Sequence, residues 1–156
     1  MTADLPRPSY IVDTSVVLKW FVQTGESDWQ HARELRAAYI QKRCTLKCPE
    51  YLVLELTNSL KMGRRFTAAE IKVIAESFRA LKLVLEPLRW STVEKAVDLA
   101  SSLEAAVYDS YFLASAIESG SILVTADDLF VRKVGRHPNL TSLRHLKLQT
   151  ASEQPS

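Results

Sequence analysis

Glycine is scarce, with four in 156 residues. A chain this poor in glycine has little from which to build a phosphate-cradling loop. No Walker loop, Gly-x-Gly-x-x-Gly turn or Gly-x-Ser-x-Gly elbow occurs. Cysteine is limited to Cys44 and Cys48. Their Cys-x3-Cys spacing lacks a second Cys or His pair, which argues against a zinc site, and two cysteines suit a reducing compartment. The histidines, His31, His137 and His145, are scattered and polar-flanked, so they read as surface residues. No apolar run approaches the ~18 residues of a membrane span. The opening "MTADLPRPSY" has neither the basic nor the apolar region of a signal peptide. These absences point to a cytoplasmic protein with no membrane partner.

The composition that is present is ordinary. Hydrophobic residues at 47% and charged residues at 24% match a globular domain. A chain of this length is one domain that buries roughly 70% of its unfolded surface. The net charge of +2 decides little, but its distribution is uneven. From Leu129 to Ser152 there is no acid, while Arg132, Lys133, Arg136, Arg144 and Lys147 supply bases. The stretch "KMGRR" closes a second cluster with Arg64 and Arg65. Such clusters form either a solvated face or the footprint of a polyanion, and Arg64, Arg65, Arg132 and Lys133 are the candidate phosphate contacts.

Five short β-like runs punctuate the chain: Tyr10–Val12, Thr45–Cys48, Leu83–Leu85, Ile122–Thr125 and, more weakly, Leu140–Leu143. Helical patterns lie between them. One starts at Ser27 with Gln30 in capping-box position, and one begins with Pro49 and stops at Gly63. Others open on the boxes Thr67…Glu70 and Ser91…Glu94, and one runs from Asp109 to Gly120. Strands alternating with helices predict a three-layer α/β/α sandwich around a largely parallel five-stranded sheet. Residues 1–9 and 149–156 read as flexible ends of a single unit spanning 10–148.

Four acids stand out from this pattern. Asp13 ends the first strand and Asp127 ends the strand "ILVTAD". In open parallel sheets ligands bind outside the carboxyl ends of strands, so these two belong at one edge. Glu55 lies between Leu54 and Leu56, one turn after Tyr51, on or beside an apolar helix face. Asp109 opens a helix that is almost wholly apolar. Each has a bland reading: Asp13, Asp109 and Asp127 as helix N-caps, and Glu55 as the ion-pair partner of Arg64, Arg65 or another base. The alternative gathers all four. Carboxylates gathered without a cation repel one another and raise their pKa values. Mg²⁺ or Mn²⁺ with oxygen ligands resolves that conflict, and carboxylates around such ions hydrolyse phosphodiesters.

The segments "YIVDTSVVLKWF", "CPEYLVLELTNSL" and "AAVYDSYFLASAIESGSILVTADDLF", in that order, carry a resemblance. They are similar to a PIN domain, specifically to the small VapC-type toxin ribonucleases, over about Tyr10 to Leu146. The resemblance implies a doubly wound fold with an acidic pocket for Mg²⁺ or Mn²⁺. Its catalytic and metal-holding acids correspond to Asp13, Glu55, Asp109 and Asp127, with Asp128 an alternative in the last position because the acid is doubled there. Thr14 or Ser15 stands near the metal, Asn58 supports from the Glu-x-x-Asn pattern, and Thr125 belongs to Thr-x-Asp. Cys48 stands where an aliphatic residue is more usual. The family implies a metal-dependent endoribonuclease acting on an RNA substrate, a small antitoxin partner and a homodimer. The aromatic stretch Trp20–Val22 is the expected docking place of an antitoxin peptide.

Other classes fit less well. A catalytically silent PIN-like scaffold that binds RNA or protein is the alternative, yet such scaffolds usually lose some of the acids and all four are present here. A phosphatase of the Asp-x-Asp type needs an acid where Ser15 stands. A phosphotransfer receiver wants one where Glu86 is followed by Pro87. A deoxyribonuclease with the same pocket has the same sequence signature.

Overall fold

The computed structural model describes residues 6–23, 25, 27–63 and 65–150. Along the chain run β1 (Ser9–Val12), α1 (Thr14–Phe21), α2 (Trp29–Ile40), β2 (Thr45–Pro49), α3 (Leu52–Met62), α4 (Ala68–Ala80) and β3 (Val84–Glu86). They are followed by α5 (Trp90–Leu103), α6 (Val107–Ser119), β4 (Ile122–Thr125), α7 (Asp128–Val134) and β5 (Leu140–Ser142), with a short 3-10 turn at Leu143–His145. All five strands pair in parallel, in the order β3-β2-β1-β4-β5.

β1 is the central strand, and the chain leaves it first towards β2 and later returns on its other side as β4. That reversal opens a crevice at the carboxyl ends of β1 and β4. Tyr10, Ile11 and Val12 are consecutive and all buried, so β1 is covered on both faces, as the three-layer sandwich requires. One cover is α6, in which every residue from Ser110 to Ala116 is buried; it packs on β1, β2 and β4 and against α5. Phe112, Leu113, Ile11 and Leu123 are the centre of this core.

Local signals placed most element boundaries, and tertiary contacts moved the rest. Thr67 and Glu70 form the reciprocal capping box before α4, with Thr67 N donating to Glu70 Oε2 (2.6 Å) and Glu70 N to Thr67 Oγ1 (3.3 Å). Gly120 ends α6 in the left-handed conformation (φ 64°), where a residue without Cβ is unstrained. The expected box at Ser27 and Gln30 does not form. Arg144 and His31 engage the Asp28 carboxylate, Asp28 itself is left-handed (φ 59°), and α2 starts at Trp29. Pro49 does not open α3; it pairs with Glu86 as the last residue of β2. The Ser91…Glu94 box is likewise absent. α5 begins at Trp90, its entry fixed by Arg89 N donating to Tyr111 Oη (3.0 Å) and by Thr92 Oγ1 donating to Glu118 Oε2 (2.5 Å).

Candidate active site

Asp13 follows the last residue of β1 and caps α1. Its Oδ1 accepts from Val16 N (3.3 Å) and from Ser15 Oγ (2.5 Å). The capping reading and the site reading are therefore both fulfilled by one side chain. Because Val12 pairs with Val124, Asp13 lies level with Thr125 at the crevice. Ser15 Oγ also accepts from Ala126 N (2.9 Å), which stitches the end of β1 to the end of β4. Thr125 Oγ1 accepts from Asp127 N (3.0 Å), and Asp127 Oδ1 caps α7 through Phe130 N (3.0 Å). From the other side, Thr14 Oγ1 donates to Glu55 Oε1 (3.4 Å) on α3. Thr14, Ser15 and Thr125 thus hold three of the acids in place. Asn58 is exposed one turn beyond Glu55.

Asp109 is not the cap of α6, because the helix begins at Val107 and puts the acid in its first turn. The helix dipole favours a carboxylate there. Burial works against it: together with the nearby Asp127 it raises the Asp109 pKa, while Lys133 pulls the other way. Burial pushes Asp13 up to about 6, and Asp109 adds to the rise against the hydrogen bonds from Ser15, Thr125 and Val16. Glu55 is pushed up to about 7, first by burial, then by Asp109 and, to a lesser degree, by Asp13. Acids from β1, α3, α6 and the start of α7 therefore feel one another across a single pocket. None of the four forms an ion pair among the described residues, and the pairing of Glu55 with Arg64 lies outside them.

Asp128, the neighbour of Asp127, goes elsewhere. Its Oδ2 accepts from Arg144 (3.0 Å), the same guanidinium that holds Asp28 (3.0 Å). Lys133 faces the acids closely enough to act on Asp109, while its Nζ donates to the Glu104 carbonyl at the end of α5 (2.5 Å). Arg65 and Arg132 are exposed, and Arg64 lies outside the described residues. Trp20 overturns an expectation. It is only 5% exposed, with its indole N–H donating to Ala32 O (2.8 Å), so its ring is core between α1 and α2 and presents nothing to a docking peptide. Two residues not anticipated from sequence border the site. Tyr51 is half-buried and packs against Tyr111 and Phe112, with ring centroids 5.4 and 5.3 Å away, and donates to the Tyr108 carbonyl (2.8 Å). Its spacing of one helical turn before Glu55 was the available signal for it, and the place of Tyr108 directly before Asp109 was the signal for the other.

The match to the PIN domain family model extends over residues 10–135, from β1 to the end of α7. The chain belongs to the PIN-domain family. No curated protein sequence matches it. Among solved structures, this PIN domain is similar to PAE2754 from Pyrobaculum aerophilum (TM-score 0.61, 16% identity, covering 88% of this chain and 90% of that one). It is also similar to VapBC2 from Rickettsia felis, solved bound to a DNA fragment from its promoter (TM-score 0.62, 17% identity, 86% and 98% covered). A third is VapC20 from Mycobacterium tuberculosis, described as a sarcin-ricin loop cleaving toxin (TM-score 0.57, 16% identity, 72% and 84% covered). At these identities the likeness is one of fold.

The donor set of this PIN domain is all carboxylate and hydroxyl oxygen, the chemistry a hard divalent cation takes. Burial first, and repulsion by Asp109 in addition, raises the pKa values of Asp13 and Glu55, and a cation among them would favour their charged forms. Among the described residues no three of these side chains already converge as a closed cage; Asp13 is buried, and Glu55, Asp109 and Asp127 are half-exposed at the crevice.

Proposed function

We propose that this PIN domain is an Mg²⁺- or Mn²⁺-dependent endoribonuclease, a cytoplasmic toxin held in check by a small antitoxin protein and acting as a homodimer. The observation that carries the reading is the meeting of Asp13, Glu55 and Asp109, acids from three elements, at the crevice of the sheet, where Asp109 adds to the effect of burial on the other two. Asp13, Glu55, Asp109 and Asp127 would hold the ion. The chemistry such an ion supplies is a lowered pKa for water and stabilised charge on the phosphate.

The remaining work falls to the protein. Ser15 and the Val16 amide hold one oxygen of Asp13, which keeps the least exposed acid in a fixed rotamer. Thr14 does the same for Glu55, and Asp127 is fixed by the amide of Phe130. Lys133 acts on Asp109 and would meet a phosphate on that side, with Arg65 and Arg132 as outer contacts. Asp128 pairs with Arg144, which supports the reading of Asp127 as the fourth ligand. The antitoxin is expected to place a basic side chain near the acids, in competition with the metal. The test is cleavage of single-stranded RNA and of the matching DNA by the purified chain. Mg²⁺- or Mn²⁺-dependent RNA scission that disappears in Asp109→Asn is expected; an intact RNA under every metal condition would overturn the reading.

A further inference from the structure

We propose that the groove beside Glu55 is a nucleobase subsite. It takes an unpaired base of the RNA strand next to the phosphate held at the acids, and so rests on the nuclease reading above. The groove is a recess of about 610 Å³ between α3, the entry to α5 and the first turn of α6, with Leu54, Asn58, Leu88, Val107 and Tyr108 around it and Tyr51 at its inner wall. Glu55 is a wall of this recess and a member of the acid cluster, so the two sites are continuous. Tyr108 and Asp109 are adjacent residues of one helical turn. Asp109 belongs to the acid cluster and Tyr108 to the recess, so a phosphate at the acids would leave its neighbouring base within reach of the recess.

The lining selects the uncharged part of a nucleotide. It contains no Lys or Arg, and its one charged group is an acid, so it repels a phosphate. What it offers is apolar and aromatic surface: Tyr108 is 67% exposed and Leu54 72% exposed, a large apolar investment for a water-facing edge. The platform is rigid. Tyr51 fixes the Tyr108 backbone by hydrogen bond, and its own ring lies 6.4 Å from that of Tyr108 and is braced edge-on by Tyr111 and Phe112. Every base has a π-face that such a surface can hold. Asn58 adds a polar edge. Its amide is exposed at the rim, makes no hydrogen bond to any described residue, and carries both the donor and the acceptor needed to read a base edge.

The test is equilibrium binding of a short fluorescein-labelled single-stranded RNA in Ca²⁺, run beside Mn²⁺-dependent cleavage of the same oligonucleotide. Tyr108→Ala and Leu54→Ser are compared with wild type, on the intact RNA and on versions made abasic at each position in turn. The expected result is a loss of affinity of roughly tenfold for Tyr108→Ala. An abasic site at one position is expected to cost as much, with no further loss when the two are combined. Tyr108→Trp should keep the affinity. A flat abasic scan, or losses that multiply, overturns the subsite. So does a Tyr108→Ala protein that binds RNA normally but sediments as a smaller species, which gives the groove to a second copy of the chain. Base-dependent binding without cleavage by wild type removes the nuclease reading and leaves the subsite standing; cleavage without base dependence does the reverse.

Discussion

The Asp13→Asn substitution removes a charge from the least exposed of the four acids and leaves an oxygen that can still accept from Ser15 and Val16. In the folded chain, burial, reinforced by Asp109, moves that carboxyl from its ordinary 3.8 to about 6. Between those two values the folded chain binds more protons at this site than the unfolded chain. Stability therefore falls as pH rises through the window, and the loss is complete above about 6. The gap corresponds to ~3 kcal/mol at most. Side-chain relaxation and water entry reduce what deletion of the charge recovers to ~1–2 kcal/mol. Urea unfolding in EDTA is the assay. Near pH 4 the two proteins are expected to be about equally stable, and near pH 7.5 the Asn variant should be the more stable by that ~1–2 kcal/mol. Added Mn²⁺ should reverse the order, because an ion bound only by the folded wild type stabilises it by mass action. A variant destabilised by the same amount at both pH values would refute the reasoning: Asp13 would then be a helix cap and nothing more.

Asp127→Ala is expected to lower cleavage at saturating Mn²⁺ by at least about tenfold more than Asp128→Ala, since one acid faces the pocket and the other pairs with Arg144. A dead Asp128→Ala enzyme beside an active Asp127→Ala one would invert that assignment. Thr67→Ala should cost ~1 kcal/mol of stability in denaturant titration through loss of the capping box before α4. Burial pushes the thiols of Cys44 and Cys48 up to about 11 and about 12, so neither should react with a thiol reagent at pH 8 until the chain is unfolded.

What was legible in the sequence and what was not divides along a physical line. The strands were found to within a residue or two because their signal, a short apolar run closed by an acid or a turn, lies in the run itself. Asp13, Glu55, Asp109 and Asp127 stood out because an acid at a strand end or in an apolar stripe is costly without a purpose. Helix starts were misplaced where a distant residue decided them. Asp28 is taken by Arg144, 116 residues away, and Thr92 by Glu118. Trp20 looked like surplus aromatic surface because only α2, packed across it, supplies the carbonyl its indole needs. The recess beside Glu55 was invisible for the same reason: Leu54, Leu88 and Tyr108 are unremarkable singly and form one wall only when α3, α5 and α6 meet.

The central claim, that four carboxylates of one pocket hold the ion that cleaves RNA, is tested most directly by a single titration with two readouts. RNA cleavage rate and thermal stability are followed together as Mn²⁺ is added to the metal-free protein. The account predicts that both rise with the same half-saturation, and that Asp109→Asn displaces both to much higher Mn²⁺. Robust cleavage in excess EDTA, or cleavage that saturates while stability stays flat, would contradict it.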